Sequence, residues 1–438
     1  MHIKKLIFNN NNLINFLISL LPLSIILGNS IVNLNIILIC LLGFKIYKFE
    51  IFTIEKKTFQ YLLYGFFLYL ILITLLRNVP NLDNNILYKE HIFKSFFYLR
   101  FLIFLLVINK VIEKQVFNIK LFFISASFFS LILATDIIIQ FYFGFNIFGN
   151  EIIINRPSSF FGNENVAGGY LQKFSLFLIL FAPSFLTHLK KNKIIICLVF
   201  FSVLILFSIL VTSNRMPFLI FFTSLIIIFF TYIKDGKKNF FLTSLLLIAT
   251  VALIKYNPNL NRSFSNLNME IKEIALNAPK LFYKGKGDKD FELSALTKQG
   301  AGYIVLFNSG IQQWKENKIL GRGLKSFRLN CQYTSGQTCS THPHNYFIEI
   351  LLDTGIIGLG LIYLVFTLSI INYIRFYEKN LDKASMFKST PFFLILFFEF
   401  FPLRSTGSFF TTSNSLVIFL ILAIFINISK INYFDKRL

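Results

Sequence analysis

Charged residues are scarce in this chain. Only 15% of the 438 residues are Asp, Glu, Lys or Arg, whereas 55% are hydrophobic, and the mean hydropathy is +0.65. A soluble domain of this size needs far more charge to cover its surface. Several apolar stretches are also long enough to cross a hydrocarbon core of roughly 30 Å. The composition therefore excludes an ordinary soluble protein and indicates one embedded in a membrane.

The apolar stretches predict an all-α integral membrane fold with about twelve transmembrane helices. The first 44 residues lack a small-residue cleavage site, so they are interpreted as two helices rather than a signal peptide. The predicted spans lie near 13–28, 31–46, 59–76, 93–109, 120–143, 166–187, 194–212, 216–233, 239–255, 346–373, 390–403 and 414–429. This divides the chain into helices 1–9 (1–255), a long loop (256–345), and helices 10–12 with a tail (346–438).

Acidic residues are half as frequent as basic ones, and the net charge is +22. Basic residues recur in every second connection, as the positive-inside rule predicts for a chain with both termini in the cytoplasm. Because orientation explains much of the excess, we infer no nucleic-acid partner. The long loop then lies outside. Residues 255–345 carry thirteen basic and six acidic residues, and the loop either binds an anion or is simply solvated.

Histidine is rare, yet two of the five, His342 and His344, lie just before the tenth predicted span. Histidine exchanges protons near neutral pH and could act as a base. Alternatively, Pro343 and Asn345 mark only the start of a helix. The pair lacks a convincing third ligand, so no metal site is predicted.

Four cysteines are present, and two of them, Cys331 and Cys339, fall in the external loop. Their spacing permits a disulfide in an oxidising compartment. Cys40 and Cys197 fall in predicted spans and are interpreted as inert core residues.

Five basic residues are predicted near the outer membrane surface: Arg156, Arg215 and Arg322, with Arg100 and Lys173 as weaker members of the set. Each could simply extend to lipid headgroups. Together, with a histidine on the same side, they favour a clamp for diphosphate, whose oxygens match the planar guanidinium fork.

Four segments in order along the chain carry a resemblance to a known family. They are RPSSFFGNENVAGGYL, TSNRMPFL, IQQWKENKILGRGLKSF and THPHNYFIEILLDTGIIGLG. Together they resemble the O-antigen ligase and O-antigen polymerase superfamily of bacterial envelope glycosyltransferases. Two positions depart from the family pattern: Asn214 stands where Ser is usual, and Asp353 where Glu is usual.

The resemblance implies a glycosyltransferase-C-like enzyme of the bacterial inner membrane, with the long loop in the periplasm. The donor would be a glycan on undecaprenyl diphosphate, and the acceptor a lipid A-core sugar. His344 would be the base, with His342 and Asn345 in support, and Arg215 with the other arginines would bind the diphosphate. The family is taken to invert the anomeric centre without metal or cofactor. The segment around Trp314 would form an amphipathic lid.

Four other interpretations remain open. A polymerase would use the same donor with a lipid-linked glycan as acceptor, and a protein-glycosylating relative would fit the same motifs. A transporter or flippase predicts ionisable residues along a membrane path and an internal repeat, and the sequence shows no such repeat. A purely structural membrane protein leaves the arginines and histidines unexplained.

Overall fold

The computed structural model describes residues 10–82, 86–152, 156–185, 191–232, 236–258, 260–265, 302–329, 340–379, 383–402 and 404–430. Cys331 and Cys339, the predicted disulfide pair, lie outside these residues. Of the long loop, the structure describes 256–258, 260–265, 302–329 and 340–345.

Helices dominate the described residues. In chain order they are α1 Asn10–Ser19, α2 Leu21–Leu27, α3 Asn29–Tyr47, α4 Lys57–Asn78, α5 Ile86–Glu113, α6 Ile119–Phe143, α7 Ala167–Phe185, α8 Lys191–Val211, α9 Arg215–Tyr232, α10 Gly236–Tyr256, α11 Gly302–Lys315, α12 Tyr346–Lys379, α13 Lys383–Glu399 and α14 Thr412–Ile426. Each predicted span overlaps a helix, and α11 is the predicted loop helix.

Within the described residues, six helices are long and apolar enough to cross a membrane. The pair α1 and α2, bent by 46°, makes a seventh if it counts as one span. Four further apolar helices are shorter, at Arg215–Thr231, Leu242–Tyr256, Ser389–Glu399 and Thr412–Ile426. A helix of 15 residues rises only about 22 Å. The all-α membrane architecture is confirmed, whereas the count of twelve spans is not.

The centre of the bundle is α14. From Ser415 to Ile426 every residue of this helix is buried, as expected for a helix that is apolar on all sides. Aromatic rings of α5 pack against it. The Phe419 ring stacks on Phe101 at 6.0 Å between centroids, and the Tyr98 hydroxyl lies 2.9 Å from Ser415 Oγ. The start of α14 is thereby fixed beside α5.

Asp136 and Glu399 are two of the acidic side chains inside predicted spans, and both have partners that brace connecting loops. Asp136 on α6 accepts hydrogen bonds from the Ile147 N–H (2.9 Å) and from Ser159 Oγ, both in the connection to α7. Glu399, the last residue of α13, forms ion pairs with Lys173 and Arg404. Both acids lie towards the end of the bundle where α12 begins, called the site end below.

Candidate functional site

The strap 340–345 leads into α12 and carries the histidine pair. Asn345 is 2% exposed, and its Oδ1 accepts from the Ile348 N–H at 2.9 Å, which caps the helix. His344 has φ of 55°, a left-handed conformation that costs a residue with a side chain roughly 1 kcal/mol or more. Its carbonyl oxygen accepts from the Thr406 N–H at 2.8 Å. The strained backbone is thus held in place from a second loop.

That second loop, 402–411, joins α13 to α14 and lies over the first turns of α12. The Asn345 side-chain amide donates to the carbonyl oxygens of Pro402 (2.6 Å) and Arg404 (2.9 Å). One turn further on, the Glu349 carboxylate accepts from Ser408 Oγ and the Phe409 N–H, both at 2.6 Å. Two side chains of α12 therefore fix the loop that positions His344.

A buried ionic cluster lies beneath the same loop. Glu399 Oε1 is 3.2 Å from Lys173 Nζ and 2.6 Å from an Arg404 guanidinium nitrogen, and all three side chains are at most 9% exposed. Two cations share one carboxylate, which offsets part of the cost of burying the three charges. The cluster joins α7, α13 and the loop. Arg404 escaped the sequence reasoning, although a single arginine in the short connection FPLRSTG was the available signal.

The connection before α9 packs directly against the start of α7. A Cβ at Gly168 would lie only 2.8 Å from Asn214 Cβ and from Thr212 Oγ1, so the two family-like segments touch where only glycine fits. Arg215 follows, with Nη1 3.4 Å from the Ser263 carbonyl oxygen. Because Asn214 packs against Gly168, the next residue, Arg215, lies at the same end of α7 as the connection that contains Arg156.

Arg156 is half-buried and lies in the connection between α6 and α7. Gln140 and Asp136 of α6 bind Ser159 a few residues later, with the Ser159 N–H donating to Gln140 Oε1 at 2.7 Å. Arg156 therefore lies in a connection that is anchored at the site end through Ser159.

The other two predicted arginines are engaged elsewhere. Arg322 pairs with Glu316 at 2.5 Å, and its N–H donates to the Leu352 carbonyl, about 12 Å along α12 from His344. Arg100 donates to the Phe97 carbonyl (2.7 Å), lies over the Phe101 ring and approaches Thr412 Oγ1. No contact in the described residues joins either guanidinium to the histidines.

Helix α12 is broken at Gly355, and a loop segment, 318–323, occupies the break. Gly355 has φ of 64°, and a Cβ there would lie 2.1 Å from the Ile319 carbonyl oxygen. The backbones of the two segments exchange hydrogen bonds: Arg322 N to Leu352 O, Gly323 N to Asp353 O, and Ile356 N to Lys318 O. Backbone groups freed by a break inside a membrane helix need protein partners, and this segment supplies them.

The two histidine rings lie against each other, with centroids 4.1 Å apart and their planes inclined by 41°. Ser340 Oγ is 3.2 Å from His344 Nε2, and Thr341 Oγ1 is 3.0 Å from His342 Nδ1. Burial lowers the pKa of His344, opposed by a hydrogen bond with the Thr406 backbone. Burial, then the charges of His344 and nearby cations, lower the pKa of His342 to about 3. Both rings are therefore neutral at pH 7, and the partly exposed His344 can accept a proton.

Two cations that the sequence reasoning did not single out, Lys325 and Arg328, are the ones whose charges reach His342. The available signal was their spacing of three in GRGLKSFRLN, directly after the Gly-Arg-Gly turn. Within the described parts of the chain, no three His, Cys, Asp or Glu side chains gather as metal ligands would.

Comparison with known proteins gives one family match. Residues 176–363 match the family model described as O-antigen ligase. The matched range holds the predicted site residues Arg215, Arg322, His342, His344 and Asn345. Three of the four motifs lie in this range, over which the resemblance is confirmed, whereas RPSSFFGNENVAGGYL precedes it. No curated protein matches the chain.

Proposed function

We propose that the chain ligates O-antigen, on the premise that residues 176–363 match the family model described as O-antigen ligase. It would transfer a glycan from undecaprenyl diphosphate to a lipid A-core sugar at the periplasmic face of the bacterial inner membrane, without metal or cofactor. The observation that carries this proposal is the placement of His344. Its neutral ring stands at a helix start, partly exposed and held by two loops.

In the proposed reaction, His344 takes the proton from the acceptor hydroxyl as its oxygen attacks the anomeric carbon. The bond from that carbon to the diphosphate oxygen breaks, and its electron pair leaves on the diphosphate. Arg215 and Arg156 would hold this group and stabilise its developing charge. Arg322 and Arg100 can contribute only by leaving Glu316 and the Phe97 carbonyl. His342 and Asn345 support the base.

The test is complementation of strains that lack either the ligase or the polymerase, followed by lipopolysaccharide banding. Capping of core with long chains supports ligation, and restored ladder length in the other strain supports the polymerase. Restoration in neither strain counts against both. His344→Ala and Arg215→Ala should abolish activity while the protein stays in the membrane. Arg262→Ala is the matched control, because Arg262 is an exposed arginine that directly precedes Ser263, whose carbonyl oxygen Arg215 contacts. Full activity of both site variants would refute the mechanism.

A further inference from the structure

The segment 324–328, which contains Lys325 and Arg328, lies beside the strap. It is called the cationic arm below. Asp353 of α12 fixes its backbone by accepting from the N–H groups of Lys325 (2.7 Å) and Ser326 (3.1 Å), and from Ser326 Oγ (2.8 Å). The Leu324 N–H donates to Thr74 Oγ1 of α4 at 2.9 Å. The main-chain N–H of Lys325 makes the hydrogen bond to the Asp353 carboxylate, and the charges of Glu349 and Asp353 act on the Lys325 ammonium group.

The arm and the strap meet across α11. A Cβ at Gly310 would lie 3.2 Å from Pro343 Cβ and 3.9 Å from the Phe327 ring, which places both residues against the same glycine. Pro343 lies between the two histidines, and Phe327 directly precedes Arg328. The positive charges of Lys325 and Arg328 consequently act on His342.

Several buried polar atoms around the arm have no hydrogen-bond partner among the described residues. They are both ring nitrogens of His91 on α5, His342 Nε2 and Arg328 Nε. His91 is 0% exposed, and the charges of Arg328 and Lys325 act on it. An unpartnered buried polar group costs roughly 1–3 kcal/mol. A bound ligand that reaches these atoms would supply the hydrogen bonds that the described residues do not provide.

The charge of that ligand follows from the acids nearby. Glu349 is occupied by Ser408 and Phe409, and Asp353 by the backbone of the arm, so these two carboxylates offset Lys325 only in part. Glu90 is paired with Lys94 at 2.8 Å. Arg328 makes no ion pair within the ranges that the structure describes. Arg328 is thus left without a counter-charge among the described residues, and an anion is the ligand that would supply one.

We propose that the cationic arm, with His91 and His342, binds an oxyanion carried by the acceptor glycan. This inference rests on the proposed function. In an inverting displacement the attacking and leaving oxygens lie on opposite sides of the anomeric carbon. A base and the cations that hold the leaving diphosphate are therefore on opposite sides of the sugar. Cations beside the histidine pair lie on the side of the attacking hydroxyl, which belongs to the acceptor.

The chemical class of the oxyanion is a phosphomonoester or a carboxylate. A guanidinium fork binds the oxygens of either group in pairs, and a lysine adds a point charge. Neutral His91 and His342 each have one ring N–H that can donate to such an oxygen. Phosphatase treatment of the acceptor removes the first group, and carbodiimide reduction removes the second.

The test compares acceptors with the purified full-length protein in lipid nanodiscs. Arg328→Gln and Lys325→Gln should each raise the KM for the intact acceptor at least tenfold, while kcat and the KM for the lipid-linked donor stay unchanged. With the neutralised acceptor, wild type and variants should have the same KM. Lys318→Gln, which removes an exposed charge from the same loop, is the matched control and should behave as wild type. Equal effects on both acceptors, or a raised KM for the donor, would overturn the inference.

A binding measurement separates this inference from the proposed function. Trp314 is the single tryptophan, and it packs against the cluster that contains Phe327. Its fluorescence can be titrated with the core oligosaccharide released from the acceptor, intact or neutralised. If wild type transfers nothing, the proposed function fails. The inference then stands only if the intact oligosaccharide binds at least tenfold more tightly to wild type than to Arg328→Gln. Equal binding of the two proteins refutes it.

Discussion

Replacing Asn345 by alanine tests whether the start of α12 holds the loop 402–411 in place. The substitution removes the helix cap, worth about 1 kcal/mol. It also leaves the carbonyl oxygens of Pro402 and Arg404 without their donor, at about 1 kcal/mol each. We expect a loss of about 3 kcal/mol, which makes opening of the loop roughly a hundredfold more frequent.

Hydrogen–deuterium exchange of the detergent-solubilised protein measures this directly. Peptides that contain the Thr406 and Phe409 amides should lose about two decades of protection in Asn345→Ala. Asn345→Asp keeps an acceptor for the Ile348 N–H but lacks the donor for the loop. It should therefore protect the start of α12 and still release the loop. If both amides exchange at the wild-type rate in Asn345→Ala, the loop is not held by Asn345 and the reasoning is wrong.

Three further predictions concern the break in α12, the buried cluster and the histidine pair. Gly355→Ala should lower the melting temperature in a thermal scan, because a Cβ meets the Ile319 carbonyl oxygen and φ is positive; an unchanged transition contradicts the packing. Glu399→Gln leaves Lys173 buried without its counter-charge and should cost about 3–5 kcal/mol in chemical unfolding, whereas Lys173→Met should cost less because Arg404 still pairs with Glu399. Burial lowers the pKa of His344. The midpoint of the acid limb in the pH profile of the transfer rate should therefore lie below the ordinary histidine pKa of about 6.5. The contribution of neutral His344 to the free energy of unfolding is complete above about pH 6.5. This contribution decreases as the pH falls, because the unfolded chain binds the proton first. An acid limb of the transfer rate with its midpoint at or above pH 6.5 would contradict the burial of His344.

The helical membrane architecture could be predicted from the sequence because apolar length alone specifies it. Every predicted span overlaps a helix, and the loop helix with Trp314 is present as α11. The number of crossings could not be predicted in the same way. Helices such as Leu242–Tyr256 are apolar yet short for a bilayer, and hydropathy does not reveal how a short helix ends.

The histidine strap and the connections at Arg156 and Arg215 were also predictable, because their motifs are local in sequence. The partners of the buried charges were not. Glu399 pairs with Lys173, more than two hundred residues away, and no local pattern specifies such a contact. Arg322 is predicted from its Gly-Arg-Gly setting, but Gly321 packs against the break at Gly355 and Gly323 packs against Thr74 of α4. Backbone packing can thus produce a motif that resembles a binding loop.

The polar groups at the site end divide into two kinds, and the division bears on where chemistry can occur. Asp136, Glu349, Asp353 and Glu399 are at most 2% exposed and are engaged by loop backbone, hydroxyl groups or cations. Changing their charge would cost the contacts that fix the loops, so they are suited to positioning. His344 differs, because its ring is partly exposed while its backbone is held in a strained conformation from the loop 402–411. A base must exchange its proton with substrate while its position stays fixed, and of these five groups only His344 meets both conditions.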